Sequence, residues 1–142
     1  MGSKEKTVIS VQVKIHLPVG IVWKFWTTPE DIVKWNNASE DWHTTRAETD
    51  LRKGGKFLSR MEAKDGSMGF DFEGIYETVK PNKVIEYSLG DGRKVRIDFT
   101  GKVNETEVVE SFDAENVNSV ELQRNGWQNI LENFKKYAEA NK

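Results

Sequence analysis

The sequence predicts an α+β domain: a curved antiparallel sheet of about seven strands, covered by one long C-terminal helix, with two short helices after the first strand. Three observations predict it. The chain opens on a two-residue alternation, its middle is a series of apolar runs divided by Asp-Gly and Gly-Gly turns, and its C-terminal stretch switches to three-four spacing.

In the opening "TVISVQVKIHL", Ile9, Val11, Val13 and Ile15 alternate with Val8, Ser10, Gln12 and Lys14, which gives a strand one buried face. Pro18 then suits a first helical turn, and Ile21, Val22, Phe25 and Trp26 follow at helical spacing. A second short helix starts at once, with Thr28 as its cap, Pro29 in its first turn and Asp31 three residues past the cap. Trp35 closes it. Next, "AETDLRKGGKF" ends a strand in a glycine turn, where Asp50 is placed to bond local backbone N–H groups and Gly54 and Gly55 permit the bend. The turns "KDG" at 64–66, "KPNK" at 80–83 and "GDG" at 90–92 divide "KFLSRMEA", "FDFEGIYETV", "KVIEYSL" and "RKVRIDFTGKV", and "TEVVESF" completes an antiparallel meander. Trp127, Ile130, Leu131, Phe134, Tyr137 and Ala138 then mark the apolar stripe of a long helix, with Asn118 and Glu121 as its start signal.

The 142 residues fit one domain, 1–142, with 1–6 read as a disordered N-terminal tail. The 21 Lys and Arg and 23 Asp and Glu are interspersed and give a net charge of -2, which argues against nucleic-acid binding. With no cysteine, a disulfide framework, a thiolate metal site and a cysteine nucleophile are all excluded. The N-terminus lacks an apolar core, Lys6 breaks a myristoylation pattern at Gly2, and no apolar run approaches the ~20 residues that span a bilayer. A soluble, cytoplasmic protein without membrane insertion is expected, in which the sequons at Asn37 and Asn104 carry no glycan. No metal site and no cofactor are expected: His16 and His43 are the only histidines, and neither sits at ligand or triad spacing from a suitable partner.

The segments "VWKFWTTPEDIVKW", "AETDLRKGGKF", "MEAKDGSMGFDFEGIYETVKPNKVIEY", "DGRKVRIDF" and "ELQRNGWQNILENFKKY" together resemble the proteins homologous to the activator of the 90-kDa heat-shock chaperone's ATPase. That family lies in the START-like, birch-pollen-allergen superfamily. The resemblance spans nearly the whole chain and implies a helix-grip fold, the sheet wrapping the long helix around a cavity. Members of the superfamily bind lipids, sterols, polyketides or plant metabolites there, and a few catalyse cyclisation or hydrolysis. The eukaryotic co-chaperones carry a further domain that contacts the chaperone.

Four of the five tryptophans fall between Trp23 and Trp42. Trp23 and Trp26 read as plugs between the short helices and the sheet, whereas Trp35 and Trp42 are equally suited to packing and to walling a cavity mouth. On the strands, Phe57, Met61, Tyr76, Tyr87, Ile97 and Phe99 are the expected lining, with Ser59 beside them and Gly74 leaving space. Trp127, Ile130 and Leu131 of the long helix face them. In "TEVVESF" the phase of Val108 and Phe112 turns Glu110 inward, partnered by Arg60, Arg96, Tyr76 or Tyr87, unless a bulge, the plainer alternative, puts it in water.

Three functions follow. The first is a binding module for an apolar or aromatic small molecule, with Glu110 as polar anchor. The second is a co-chaperone or stress-related interaction domain with a chaperone as partner. The third is a cyclase- or hydrolase-like enzyme in which Glu110 or Tyr87 moves a proton. The oligomeric state is not legible, and one residue of register error would reverse the assignments of Ser59, Gly74 and Glu110.

Overall fold

The computed structural model describes residues 7–141; the expected tail over 1–6 lies outside the described residues. The chain runs β1 (Val8–Ile15), α1 (Val19–Thr27), α2 (Pro29–Trp35), β2 (Trp42–Thr49), β3 (Lys56–Ala63), β4 (Gly69–Lys80), β5 (Val84–Leu89), β6 (Lys94–Lys102), β7 (Glu105–Asp113) and α3 (Val120–Ala140). The strands form one antiparallel sheet in the order β1-β7-β6-β5-β4-β3-β2. Consecutive strands from β2 to β7 are neighbours, as tight turns require, and β1 joins beyond β7. The α1–α2 segment therefore has to carry the chain from one edge of the sheet to the other. In doing so it closes one end of the sheet, α1 against β6 and β7, α2 against β2.

The local chemistry explains the strand ends. Gly66 and Gly92 take positive φ in the two Asp-Gly turns, as do Gly54 between β2 and β3, Asn82 between β4 and β5 and Asn104 between β6 and β7. At Gly55 a Cβ would lie 2.0 Å from the Asp50 carbonyl oxygen, so no other residue fits that bend. Asp50 itself differs from expectation: its carboxylate takes the Arg52 guanidinium at 2.9 Å, because that fork lies two residues away on the same turn. Both short-range caps also differ. Thr28 turns its hydroxyl back to the Lys24 carbonyl at 2.7 Å, so it finishes α1 and leaves α2 without a side-chain cap. Ser119, one residue after Asn118, caps α3 by accepting from the Leu122 N–H at 3.0 Å.

The core lies between the concave face of the sheet and α3. The inward phase of β1 is buried throughout, as is Thr106, Val108, Glu110 and Phe112 of β7. Their register is unbroken from Val8 opposite Asp113 to Ile15 opposite Thr106, so no bulge turns Glu110 to water. The sheet's register shifts fall elsewhere, in β2 near Thr44 and in β4 near Tyr76. Gly74 lies inward but leaves no space: a Cβ there would meet the Phe57 ring at 2.9 Å and the Ser88 carbonyl at 2.5 Å. Phe57 covers it.

Helix α3 packs along β1 and against both short helices. Phe134 is fully buried, with Trp26 and Trp35 edge-on at 4.9 and 4.8 Å. Polar ties reinforce that side: Tyr137 donates to Asp31, Gln128 to the Gln12 carbonyl at 3.0 Å, and the His16 N–H to Glu139 at 2.9 Å. Toward β4 and β5 only long side chains reach across, Trp127 meeting Phe72 edge-on at 6.3 Å.

Truncating Phe134 to Ala is expected to lower unfolding free energy by about 3–5 kcal/mol, since it deletes the ring that three elements share. Val8→Ala, on the solvent face, is expected to change it by less than about 0.5 kcal/mol. Denaturant melts of the two variants check both; similar losses would contradict this account of the core.

Candidate functional site

Where α3 stands away from β3, β4 and β5, a cavity of about 420 Å³ remains. That volume falls inside the range of roughly 300–1,000 Å³ common for small-molecule pockets. The strand wall is Phe57, Ser59 and Met61 of β3, Phe72 and Tyr76 of β4, Tyr87 of β5 and Glu110 of β7. These residues share one face because cross-strand pairs set Ser59 opposite Phe72 and Tyr76 opposite Tyr87. The helix wall is Trp127 and Ile130, and Trp26, Ile32 and Trp35 close the inner end. Phe70 and Leu122, 49% and 59% exposed, also line the space and so mark its mouth.

Eight of the eleven residues expected to line a cavity are thus brought together. Ile97, Phe99 and Leu131 are not among them. Ile97 and Leu131 are fully buried, and Phe99 carries Trp23 at 5.1 Å and Trp26 at 5.8 Å, so all three belong to the packed core under the α1 side of the sheet. Trp42 also stands outside the lining, and instead leans on Phe70 at 5.9 Å. Trp26 does both jobs, packing on Phe134 and closing the cavity. Trp127 is stacked on Phe112 at 3.8 Å and 11°, a geometry that fixes the indole plane.

The polar groups of the cavity fall into two sets. At the α2 end, Asn36 donates to the Ser59 hydroxyl at 3.3 Å while its carbonyl takes the Thr44 hydroxyl at 2.5 Å. That set is internally satisfied. On the strand wall, Tyr76 shares a 2.7 Å hydrogen bond with Thr49, and burial raises its hydroxyl above the ordinary range. Glu110 is different. It is 5% exposed, lies between Val11 and Ile97 in register, and takes no hydrogen bond or ion pair from any described residue. Burial alone pushes its carboxyl up to about 8. Tyr87 is 8% exposed, and burial, then the neighbouring Glu110, push its hydroxyl well above the ordinary range.

The arginines expected as partners are on the wrong face. Arg60 binds Glu62 at 3.0 Å and Asp71 at 3.3 Å, and Arg96 binds Asp98 at 3.0 Å and Glu86 at 3.2 Å, all on the convex side. Of the four expected partners Tyr87 is the one whose hydroxyl Glu110 perturbs. Sequence reasoning missed Arg93, which lines the cavity from the β5–β6 turn while its Nε binds Asp91 at 2.7 Å. Its position just past an Asp-Gly turn, at the open end of two strands, was the available signal. It also missed Asn36 and Gln123; the latter folds the 114–119 loop over the mouth by accepting from the Glu115 N–H at 2.9 Å. His16 sits in the bend after β1 and His43 on β2, neither lines the cavity, and among the described residues no cluster of His, Asp and Glu is arranged to hold a metal ion. Among them, too, no helix is long and apolar enough to cross a membrane.

Comparison with known proteins adds an independent line. A family profile described as "Activator of Hsp90 ATPase homolog 1-like protein" matches residues 16–139. The solution structure of an AHSA1-like protein from Aeromonas hydrophila is similar at 43% identity and TM-score 0.89, covering 95% of this chain and 94% of that one. A protein from Cytophaga hutchinsonii is similar at 53% identity and TM-score 0.81, covering 94% and 92%. A Nitrosomonas europaea protein, at 18% identity, TM-score 0.80 and coverage of 94% and 95%, shows the shared fold alone. No curated protein matches significantly.

The raised Glu110 group has a consequence for stability. The folded chain keeps its proton up to about pH 8, whereas the unfolded chain releases it near the ordinary 4.5. Its contribution is fully present below 4.5 and lost as pH rises to about 8. Relative to Glu110→Gln, the parent protein is expected to lose up to about 1.4 kcal/mol of stability per pH unit across that window. Parallel stability curves between pH 5 and 8 would show that the carboxyl is not held neutral.

Proposed function

The chain belongs to the family of proteins like activator of Hsp90 ATPase homolog 1, with the START-like helix-grip fold, and from that premise we propose that it binds an apolar or aromatic small molecule in the cavity between sheet and α3. The observation that carries this reading is the combination of space and unspent polarity. An aromatic-walled opening of about 420 Å³ contains one buried carboxyl group without a protein partner. A filled core would have no use for either. Among the described residues no fully buried side-chain oxygen or nitrogen lacks a partner, so the unpaired Glu110 oxygens open onto the cavity space, where a ligand with a polar end can complete them.

The family description supports a second reading, stimulation of a chaperone's ATPase. It would act through the outer surface, where the arginine and acid ladders of β3 and β6 are displayed. A proton-transfer enzyme stays subordinate, since Glu110 and Tyr87 supply acids but the strand wall offers no base beside them.

Melting curves with a panel of fatty acids, sterols, flavonoids and flat aromatics test the first reading. A ligand that binds only the folded state at a hundred times its Kd adds about 2.7 kcal/mol. One chemical class is expected to raise the midpoint, and Trp127→Ala or Ser59→Trp, which respectively removes a wall and fills the space, is expected to abolish the rise. If no compound shifts the midpoint while the purified domain stimulates a chaperone's ATPase, the second reading replaces the first.

A further inference from the structure

The geometry of the strand wall points to a narrower ligand class than its aromatic lining alone. Glu110 is on β7 and Tyr87 on β5, one strand to either side of β6, on the same face and in the same cavity. Two strand spacings separate their backbones by about 10 Å, and both side chains reach from there into the one cavity, close enough for the Glu110 charge to act on the Tyr87 hydroxyl. Neither group has a hydrogen-bond partner among the described residues, and both are more than nine-tenths buried. The other charged or titratable groups lining the cavity are Tyr76 on β4, already bonded to Thr49, and two at the rim. These are Arg93, tied to Asp91, and Glu115, which accepts from the Asn118 N–H.

We propose that the Glu110 carboxyl and the Tyr87 hydroxyl together donate hydrogen bonds to the buried oxygen of an uncharged, flat aromatic carbonyl compound. This rests on the ligand-binding reading and specifies its ligand. An apolar site holds a carboxylic acid neutral, and a neutral carboxylic acid is a donor. Two O–H donors on one wall match a carbonyl oxygen, which has two lone pairs and no charge to desolvate. A ligand carboxylate would meet the Glu110 carboxyl, with Arg93 the one cation lining the cavity and already paired with Asp91 at 2.7 Å. A ligand ammonium would bring three N–H donors to a wall whose nearest neighbours are Val11, Ile85 and Ile97, leaving most of them unpaired. The aromatic rings of Phe72, Tyr87 and Trp127 fit the flat body of such a molecule.

Four probes on one naphthalene frame test this: 2-acetylnaphthalene, 2-isopropylnaphthalene, 2-naphthoate and 1-(2-naphthyl)ethylamine. Binding is read by tryptophan quenching and by melting midpoint at pH 6.5. The ketone is expected to bind about tenfold tighter than the hydrocarbon, and the two charged probes more weakly than either. Tyr87→Phe and Glu110→Leu should each shrink the ketone-to-hydrocarbon ratio, and the pair should bring it near one. Glu110→Gln, whose amide can still donate, should keep it above that of Glu110→Leu; Tyr87→Phe carries the test alone if Glu110→Leu does not fold. Equal binding of ketone and hydrocarbon would overturn the donor assignment while leaving a ligand cavity in place. Tightest binding by the ammonium would overturn it in favour of an ionised Glu110. No binding by any of the four would overturn this inference, while the reading beneath it falls only if the fatty acids, sterols and flavonoids of the wider panel also fail to shift the midpoint.

Discussion

The structure depends on where α3 is anchored. Leu131, Phe134 and Ala138 are fully buried on the β1 side, and Phe134 is clamped edge-on by Trp26 and Trp35 from the two short helices. That three-ring wedge is too bulky to let the helix settle centrally on the concave sheet. The far half of the sheet is therefore bridged by long side chains and not by close backbone approach. Protein interiors normally close-pack, so a persistent opening needs stiff walls. Here they are aromatic rings held by one another: Trp127 on Phe112, and Phe57 against both Tyr76 and Tyr87.

The same arrangement sets the electrostatics. Arg60 and Arg96 are paired with acids on the convex face, exposed and individually worth little to stability. Their effect on the site is indirect, because cations committed outside leave only Arg93 at the cavity, and that one is bound to Asp91. Glu110 is then a lone acid among Val11, Ile97 and the rings, where it is cheaper to keep the proton than to lose it. A fold shared by proteins of many functions says little about chemistry. An unpartnered acid in an aromatic pocket says more.

Much of this was legible in the sequence because period and turn chemistry are local. The alternation of β1, the Asp-Gly turns and the three-four stripe of α3 fix their elements without tertiary information. β2 was harder: "WHTTRAET" mixes threonine, charge and one tryptophan, and its strand character comes from pairing with β3 across a bulge. The inward phase of Glu110 could be read from its neighbours, but only unbroken pairing with both β1 and β6 settles it. Periodicity gives the face of a residue and not the depth of what covers it. For that reason Ile97, Phe99 and Leu131, correctly placed on inner faces, turn out to be core, and Gly74 to be covered by Phe57. Arg93 and Asn36 enter the site from loops, where no period exists.

The tryptophans offer the most direct test of the central claim, that the opening between α3 and β3–β5 is a ligand site. The five indole N–H groups give separate signals in a proton–nitrogen correlation spectrum, to be recorded with and without a flat aromatic ligand. Trp26, Trp35 and Trp127 line the cavity, while Trp23 and Trp42 do not. Binding is predicted to shift the first three and leave Trp23 unmoved, with Trp42 changing less than Trp127. Shifts confined to Trp42 or Trp23, or none at saturating ligand, would contradict the account and return those rings to a purely structural role.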